Sequence, residues 1–278
     1  MYTRRTALAY TIGMADIPLG EPTNYPDTYA PDILFPISRS GNREPLGVTS
    51  SLPFGGADWW TAWEVTWLLP SGKPDMAALE IRVPADSPNI IESKSLKLYL
   101  NAFAMLTVES EGELVRIIEA DLGRVAGATV SVSLSRESRL IHLPGNTLDT
   151  LDVEIDTYTV NADLLGSDSE QLVTETWRSG LLRSLCPVTA QPDFGSVMIR
   201  YTGARIRPES LLAYIVSFRT HQEFHEACVE RMFVDIEARC RPEKLTVFAR
   251  YQRRGGLDIN PFRSNFEHEP PLSRAWNQ

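Results

Sequence analysis

The chain has 278 residues, of which 43% are hydrophobic and 23% charged, the balance of a soluble globular protein with room for one large domain or two ordinary ones. No stretch approaches the roughly 18 uninterrupted apolar residues of a membrane helix, and Met1-Tyr2-Thr3-Arg4-Arg5, followed by Thr11, Asp16 and Pro18, makes a poor secretory signal. A net charge of −9 argues against a broad basic face for nucleic acid, and three cysteines without CxxC spacing predict reduced thiols in the cytoplasm rather than disulfides or a structural zinc site.

Residues 1–60 are rich in turn signals and weak in periodicity. Trp63, Val65, Trp67 and Leu69 then alternate with more polar neighbours, which predicts a half-buried strand. Leu79, Ile81 and Val83 repeat that signal beyond a turn running from Pro70 to Pro74. Leu96, Tyr99, Leu100 and Phe103 fall at i, i+3, i+4 and i+7, one face of a helix. Leu114, Ile117, Ile118, Leu122 and Val125 form a second helical stripe, and Ala128 to Leu134 returns to strand alternation. A strand signal from Leu151 to Tyr158 is expected to complete this half, with the polar stretch from Asn161 to Gln171 as linker. Val197 to Thr202 reads as strand, and Leu211, Leu212, Ile215 and Phe218 as a helix. Val229, Met232, Phe233 and Ile236 mark another helix, and Leu245 to Tyr251 a closing strand. The expected class is α+β, an antiparallel sheet with helices on one face in each of two units, residues 1–161 and 162–278.

The two units repeat one another. Lys73-Pro74-Asp75 through Val83 matches Gln191-Pro192-Asp193 through Tyr201, at an offset of 193 − 75 = 118. Ser95 to Phe103 matches Ser210 to Phe218, at 218 − 103 = 115. Matched order at nearly constant offset points to a duplicated unit. Polar residues do not follow the repeat: Glu92-Ser93-Lys94-Ser95-Leu96-Lys97 stands opposite Arg207-Pro208-Glu209-Ser210-Leu211-Leu212, Cys186 opposite Leu68, and His225-Glu226 opposite Ser110-Glu111. Complementary losses imply one composite site that draws on both copies.

Each candidate has a plainer reading. The Glu92–Lys97 run is a helix start with a capping serine and solvated lysines, or an anion site of free N–H groups, hydroxyls and ammonium groups with Glu92 facing a ring donor. Cys186 is a buried structural thiol, the fate assigned to Cys228 and Cys240, or a reactive one set before a turn, with Asp193 seven residues on. His221, His225 and Cys228 are spaced to share a helix face as zinc ligands, although no second ligand cluster stands out. No GxGxxG element is present, so no Rossmann crevice is expected.

Together these residues resemble the long, two-copy 7-cyano-7-deazaguanine reductases. The resemblance is carried by Glu92-Ser93-Lys94-Ser95-Leu96-Lys97-Leu98-Tyr99, by Cys186-Pro187-Val188-Thr189 with Gln191-Pro192-Asp193, by Phe224-His225-Glu226, and by Arg253-Arg254-Gly255-Gly256-Leu257-Asp258-Ile259-Asn260-Pro261. Pro18-Leu19-Gly20 and Tyr25-Pro26-Asp27-Thr28-Tyr29 also fit. The resemblance implies two ββααββ tunnelling-fold halves joined into a barrel-like assembly, a homodimer, and two NADPH per nitrile reduced to a primary amine on the way to the queuosine base of tRNA. The partner is then a small deazapurine, with no direct contact to nucleic acid or membrane. In that family's scheme Cys186 adds to the nitrile as a thioimide, a better hydride acceptor, while Asp193 and His225 handle protons. Ile91, Glu92, Ser93, His225 and Glu226 hold the substrate, and Ser93, Lys94, Lys97, Arg254 and Gly255 the cofactor; no metal is called for. The competing readings are a GTP-cyclohydrolase-like zinc hydrolase using His221, His225 and Cys228, and a non-catalytic pterin- or purine-binding module.

Overall fold

The structure is a computed structural model that describes residues 26, 28–49, 51–136, 140–271 and 274–275, with 140, 141, 274 and 275 as backbone alone. Pro18-Leu19-Gly20, Tyr25 and Asp27 of the opening motifs lie outside the described residues. A short strand β1 (Pro36–Ser38) and one helical turn α1 (Ser40–Arg43) precede a long hairpin, β2 (Gly55–Leu68) and β3 (Pro74–Pro84). β4 (Asn89–Ile91) pairs with β1 and runs into α2 (Ser93–Asn101), α3 (Glu111–Ala126) and β5 (Ser131–Ser135). Two small strands, β6 (Leu140–Ile141) and β7 (Asn146–Thr147), lead to a second hairpin, β8 (Ser167–Leu185) and β9 (Pro192–Ile206). Then come α4 (Pro208–Ser217), α5 (His225–Cys240), β10 (Lys244–Tyr251), β11 (Leu257–Ser264) and β12 (Arg274–Ala275), which pairs with β6. The class is α+β with mostly antiparallel strands, as expected. Among the described residues no helix is long and apolar enough to cross a membrane.

One eight-stranded sheet runs β5-β3-β2-β11-β10-β9-β8-β7. Its centre is the antiparallel pairing of β2 with β11, where Trp60 faces Ile259 and Ala62 faces Leu257. Two apolar cores flank that seam. One packs Trp60, Trp67, Leu79 and Ile81 under Leu96, Tyr99, Leu114 and Ile118; the other packs Val197, Ile199 and Val247 under Leu211, Tyr214, Val229 and Phe233. The duplicated residues rebuild the same contacts. Tyr99 donates to Asp121 and Tyr214 to Asp235, both at 2.6 Å, and the Tyr99–Phe103 and Tyr214–Phe218 rings meet edge to face at 5.2 and 5.4 Å.

Two expectations fail in instructive ways. Leu151 to Tyr158 forms no strand; after β5 the first half adds to the sheet only the two-residue β7, among the described residues, and β7 pairs with β8 of the second half. Its alternation is real: Leu151, Val153 and Ile155 pack on the second core. The backbone, however, finds no ladder partner, and period-2 burial needs only a flat apolar surface. The stretch from Asn161 to Gln171 is not a plain linker either, because β8 begins at Ser167. Its polar composition reflects the exposed arm of a hairpin, where both faces meet water.

Candidate functional site

A cleft of about 560 Å³ opens at the β2–β11 seam, floored by Trp60, Leu257 and Ile259. The first half contributes Ile91, Glu92, Ser93 and Lys97, and the second Cys186, Asp193, His225, Glu226, Arg254 and Gly255. All the singled-out substrate and cofactor candidates therefore converge except Lys94, which sits on the first turn of α2 outside the lining.

Glu92 is placed by backbone pairing on one side and a helix start on the other. Its N–H donates to Phe35 O at 2.9 Å, and its carboxylate accepts the Lys94 and Ser95 amides at 2.8 and 2.7 Å. Glu92 is thus itself the N-cap, a correction to the expected capping serine. Ser95 is buried and braces the corner, donating to Glu92 O at 2.7 Å and accepting from Phe35 N at 3.1 Å. The helix amides offered to an anion in the sequence reading are consequently occupied, while each carboxylate oxygen keeps a lone pair for a further donor. One turn on, burial pulls the Lys97 ammonium below its ordinary range against the opposing charge of Glu92.

The six-residue loop from β8 to β9 carries Cys186. Cys186 N donates to Gln191 O and Ala190 N to Cys186 O, each at 2.9 Å, with Ala190 in the left-handed region at φ 55°. Bonds between Leu185 and His221 O (2.7 Å) and between Glu223 N and Leu185 O (3.1 Å) tie this loop to the approach to α5. Cys186 remains half-buried and faces the cleft, whereas Cys228 and Cys240 are buried. Asp193, buried at the start of β9, has one carboxylate oxygen 3.2 Å from Arg254 Nε and 3.2 Å from His225 Nε2. The adjoining cation goes elsewhere: Arg253 pairs with Glu64. Arg254 and Leu257 close a two-residue turn over Gly255 and Gly256, at φ 55° and 85°, the type I′ geometry that glycine accommodates best.

His225 opens α5 with its ring stacked on Tyr251, centroids 3.9 Å apart and planes 10° apart. Glu226 beside it is buried, and burial followed by the neighbouring Asp58 charge pushes its carboxyl up to about 7. Beneath it lies a lattice of buried charges. Asp58 binds Arg39 at 2.5 Å and Arg263 at 2.8 Å; Glu230 binds Arg43 at 2.7 Å and Arg263 at 2.9 Å. This lattice ties β2, β11, α5 and the turn around α1 together under the cleft. Sequence reasoning missed it, along with Tyr251 and Trp60; the available signal was charged residues at buried positions of otherwise apolar strands.

The proposed zinc triad is not assembled on a helix face. His221 precedes α5, and His225 turns to Asp193 and Tyr251. His221, Glu223 and Cys228 do offer ligand atoms within 4.8 Å of one another. Arg231 already stands at that place, its Nε 3.2 Å from Glu223 Oε2, with His221 Nε2 at 2.6 Å from the same oxygen. Burial raises the Cys228 thiol well above its usual range.

The chain matches two family descriptions: "Nitrile reductase, 7-cyano-7-deazaguanine-reductase N-term" over residues 25–134 and "QueF-like protein" over residues 192–270. The NADPH-dependent 7-cyano-7-deazaguanine reductase of Hydrogenovibrio crunogenus is 52% identical over 254 residues, 90% of this chain and 92% of its own. The protein of the same description from Azoarcus sp. is also 52% identical, over 89% of this chain and 90% of its own. That from Burkholderia lata is 50% identical over 91% and 95%.

Proposed function

Because this chain belongs to the NADPH-dependent 7-cyano-7-deazaguanine reductase family, we propose that its nitrile reduction runs through Cys186 in the cleft at the β2–β11 seam. The enzyme reduces 7-cyano-7-deazaguanine to the 7-aminomethyl compound at the expense of two NADPH, in queuosine biosynthesis. The observation that carries the site assignment is the convergence of Glu92, Ser93 and Lys97 from one copy with Cys186, Asp193, His225 and Glu226 from the other.

A nitrile carbon is a modest electrophile, and the Cys186 thiolate converts it into a thioimide. One S–C bond forms, and the thiol proton ends on the nitrogen. Asp193 suits that relay: as a carboxylate it takes the proton from sulfur and returns it to nitrogen, with His225 at 3.2 Å as its partner. When bound, NADPH would supply two hydrides to the activated carbon, one before and one after Cys186 departs, and the two matching protons would come from solvent through Asp193 and His225. Departure of the sulfur needs no external oxidant, since the nitrogen lone pair expels it as thiolate. Glu92 and Glu226 face the deazapurine's donor edge from opposite halves, Glu92 with its orientation already set by the α2 amides.

The residues present fit a phosphate-bearing cofactor. Among the described residues Lys97 and Arg254 are the cleft's lysine and arginine; a Cβ added at Gly255, the neighbour of Arg254, would come 3.2 Å from the Lys97 side chain, and the Arg254 charge acts on the Lys97 ammonium. Lys97, Arg254 and the Ser93 hydroxyl would hold the phosphates, Gly255 giving backbone access; arginine suits the additional phosphate of NADPH. Lys94 adds charge from outside the cleft. Residues 1–161 and 162–278 act as the two tunnelling-fold halves, and a cytoplasmic homodimer is the expected form.

Mixing the enzyme with 7-cyano-7-deazaguanine without NADPH should add one ligand mass to the protein, and Cys186→Ala should abolish both adduct and turnover while leaving the fold intact. An unmodified parent protein under saturating ligand would defeat the covalent step.

A further inference from the structure

We propose that Tyr251 is a positioning residue: its buried ring, admitted by Gly195, fixes the plane of the His225 imidazole and so aims that group at Asp193. The inference rests on the reading of His225 given above.

His225 is the first residue of α5, and its N-cap, Phe224, supplies no capping side chain. Neither imidazole nitrogen makes a hydrogen bond of good geometry with protein groups, and Nε2 only approaches Asp193 Oδ1 at 3.2 Å. The ring torsion of histidine is broad, and the single Asp193 contact at 3.2 Å lacks good hydrogen-bond geometry, so it does not by itself fix the ring plane, which a flat neighbour can. Tyr251 provides that wall, fully buried at the end of β10 and stacked within 10° of parallel. Its cross-strand partner is Gly195. An added Cβ at Gly195 would come 3.0 Å from Arg250 O and 3.2 Å from the Tyr251 ring, closer than ordinary packing allows. In the other copy, which has no imidazole to orient, the matching position is Ala77. The side-chain-free position therefore occurs where the tyrosine must lie close to the sheet.

Tyr251→Leu keeps an apolar side chain and removes the flat wall. It should lower kcat for nitrile-dependent NADPH oxidation by about 10- to 100-fold, the cost of misplacing a reacting group, with KM for the nitrile moved less than about threefold. Tyr251→Phe, which keeps the ring, should recover most of that loss. The deciding measurement is Tyr251→Leu placed on His225→Ala: a residue acting through His225 adds no further loss once the imidazole is gone. Losses that multiply in the double variant, or a Tyr251→Leu enzyme at the parent rate, would overturn the proposal alone. His225→Ala at full rate would overturn the role of His225 and this inference with it. Gly195→Ala presses on Tyr251 from the neighbouring strand. Should Tyr251→Leu fold poorly, it carries the same test, with a smaller loss that vanishes in the His225→Ala background.

Discussion

Asp58→Ala tests whether the buried charge lattice holds the floor of the cleft. Asp58 is 0% exposed and binds the guanidiniums of Arg39 and Arg263 at 2.5 and 2.8 Å. Its removal leaves Arg39, Arg43 and Arg263 gathered on Glu230, with only the buried Glu226 carboxyl as a further neighbour of Arg39 among the described residues. Burial alone would raise the Asp58 carboxyl, but Arg263 and Arg39 outweigh it and hold the group below its ordinary value. Breaking such a pair costs about 3–5 kcal/mol, because the stranded cations remain out of water. At about 2–4 °C per kcal/mol for chains approaching this size, the melting temperature should fall by on the order of 10 °C. The lowered carboxyl also fixes a pH signature. Its contribution is fully present above the unfolded value of 3.8 and disappears as pH falls through the lower folded value. Parent and variant should therefore melt far apart at pH 7.5 and converge in strong acid, as followed by circular dichroism. A variant melting within about 2 °C of the parent at pH 7.5 would mean that the lattice contributes specificity at most, not stability.

Glu226 carries the opposite sign. The folded state keeps a proton up to about 7 that the unfolded chain releases near 4.5, so a penalty appears between those values and is complete above them, at about 3 kcal/mol. Glu226→Gln should consequently raise the melting temperature at pH 8 and have little effect at pH 4; a pH-independent difference would count against a proton-holding carboxyl. Lys97→Met should raise KM for NADPH about tenfold with little change in kcat, the pattern of lost ground-state binding, and steady-state kinetics at fixed nitrile would show otherwise if kcat fell instead. Dialysis against EDTA should leave nitrile-dependent NADPH oxidation unchanged, whereas loss restored by zinc would make the His221, Glu223 and Cys228 cluster a functional metal site.

Much of this protein was already determined by its local sequence. The alternation around Trp63–Leu69, the stripes of Leu96–Phe103 and Leu114–Val125 and their second copies became β2, α2, α3, α4 and α5, because strand and helix periods are properties of contiguous residues. The duplication predicted a composite site, and Cys186, Asp193, His225 and Glu92 do share one cleft. Tertiary structure alone decided the rest. Glu92 became the helix cap because Phe35, 57 positions away (92 − 35), takes its N–H and braces Ser95. Arg254 and not Arg253 turned to Asp193, since successive side chains of an extended segment point to opposite sides and only the fold places Asp193 on one side and Glu64 on the other. Leu151–Tyr158 stayed outside the sheet, its alternate apolar side chains packed on the second core without a ladder. Asp58 and Arg263 stand 205 positions apart (263 − 58) and read in isolation as polar misfits in apolar strands. Their charges can be buried only as a pair, and a pair exists only once β2 and β11 lie side by side.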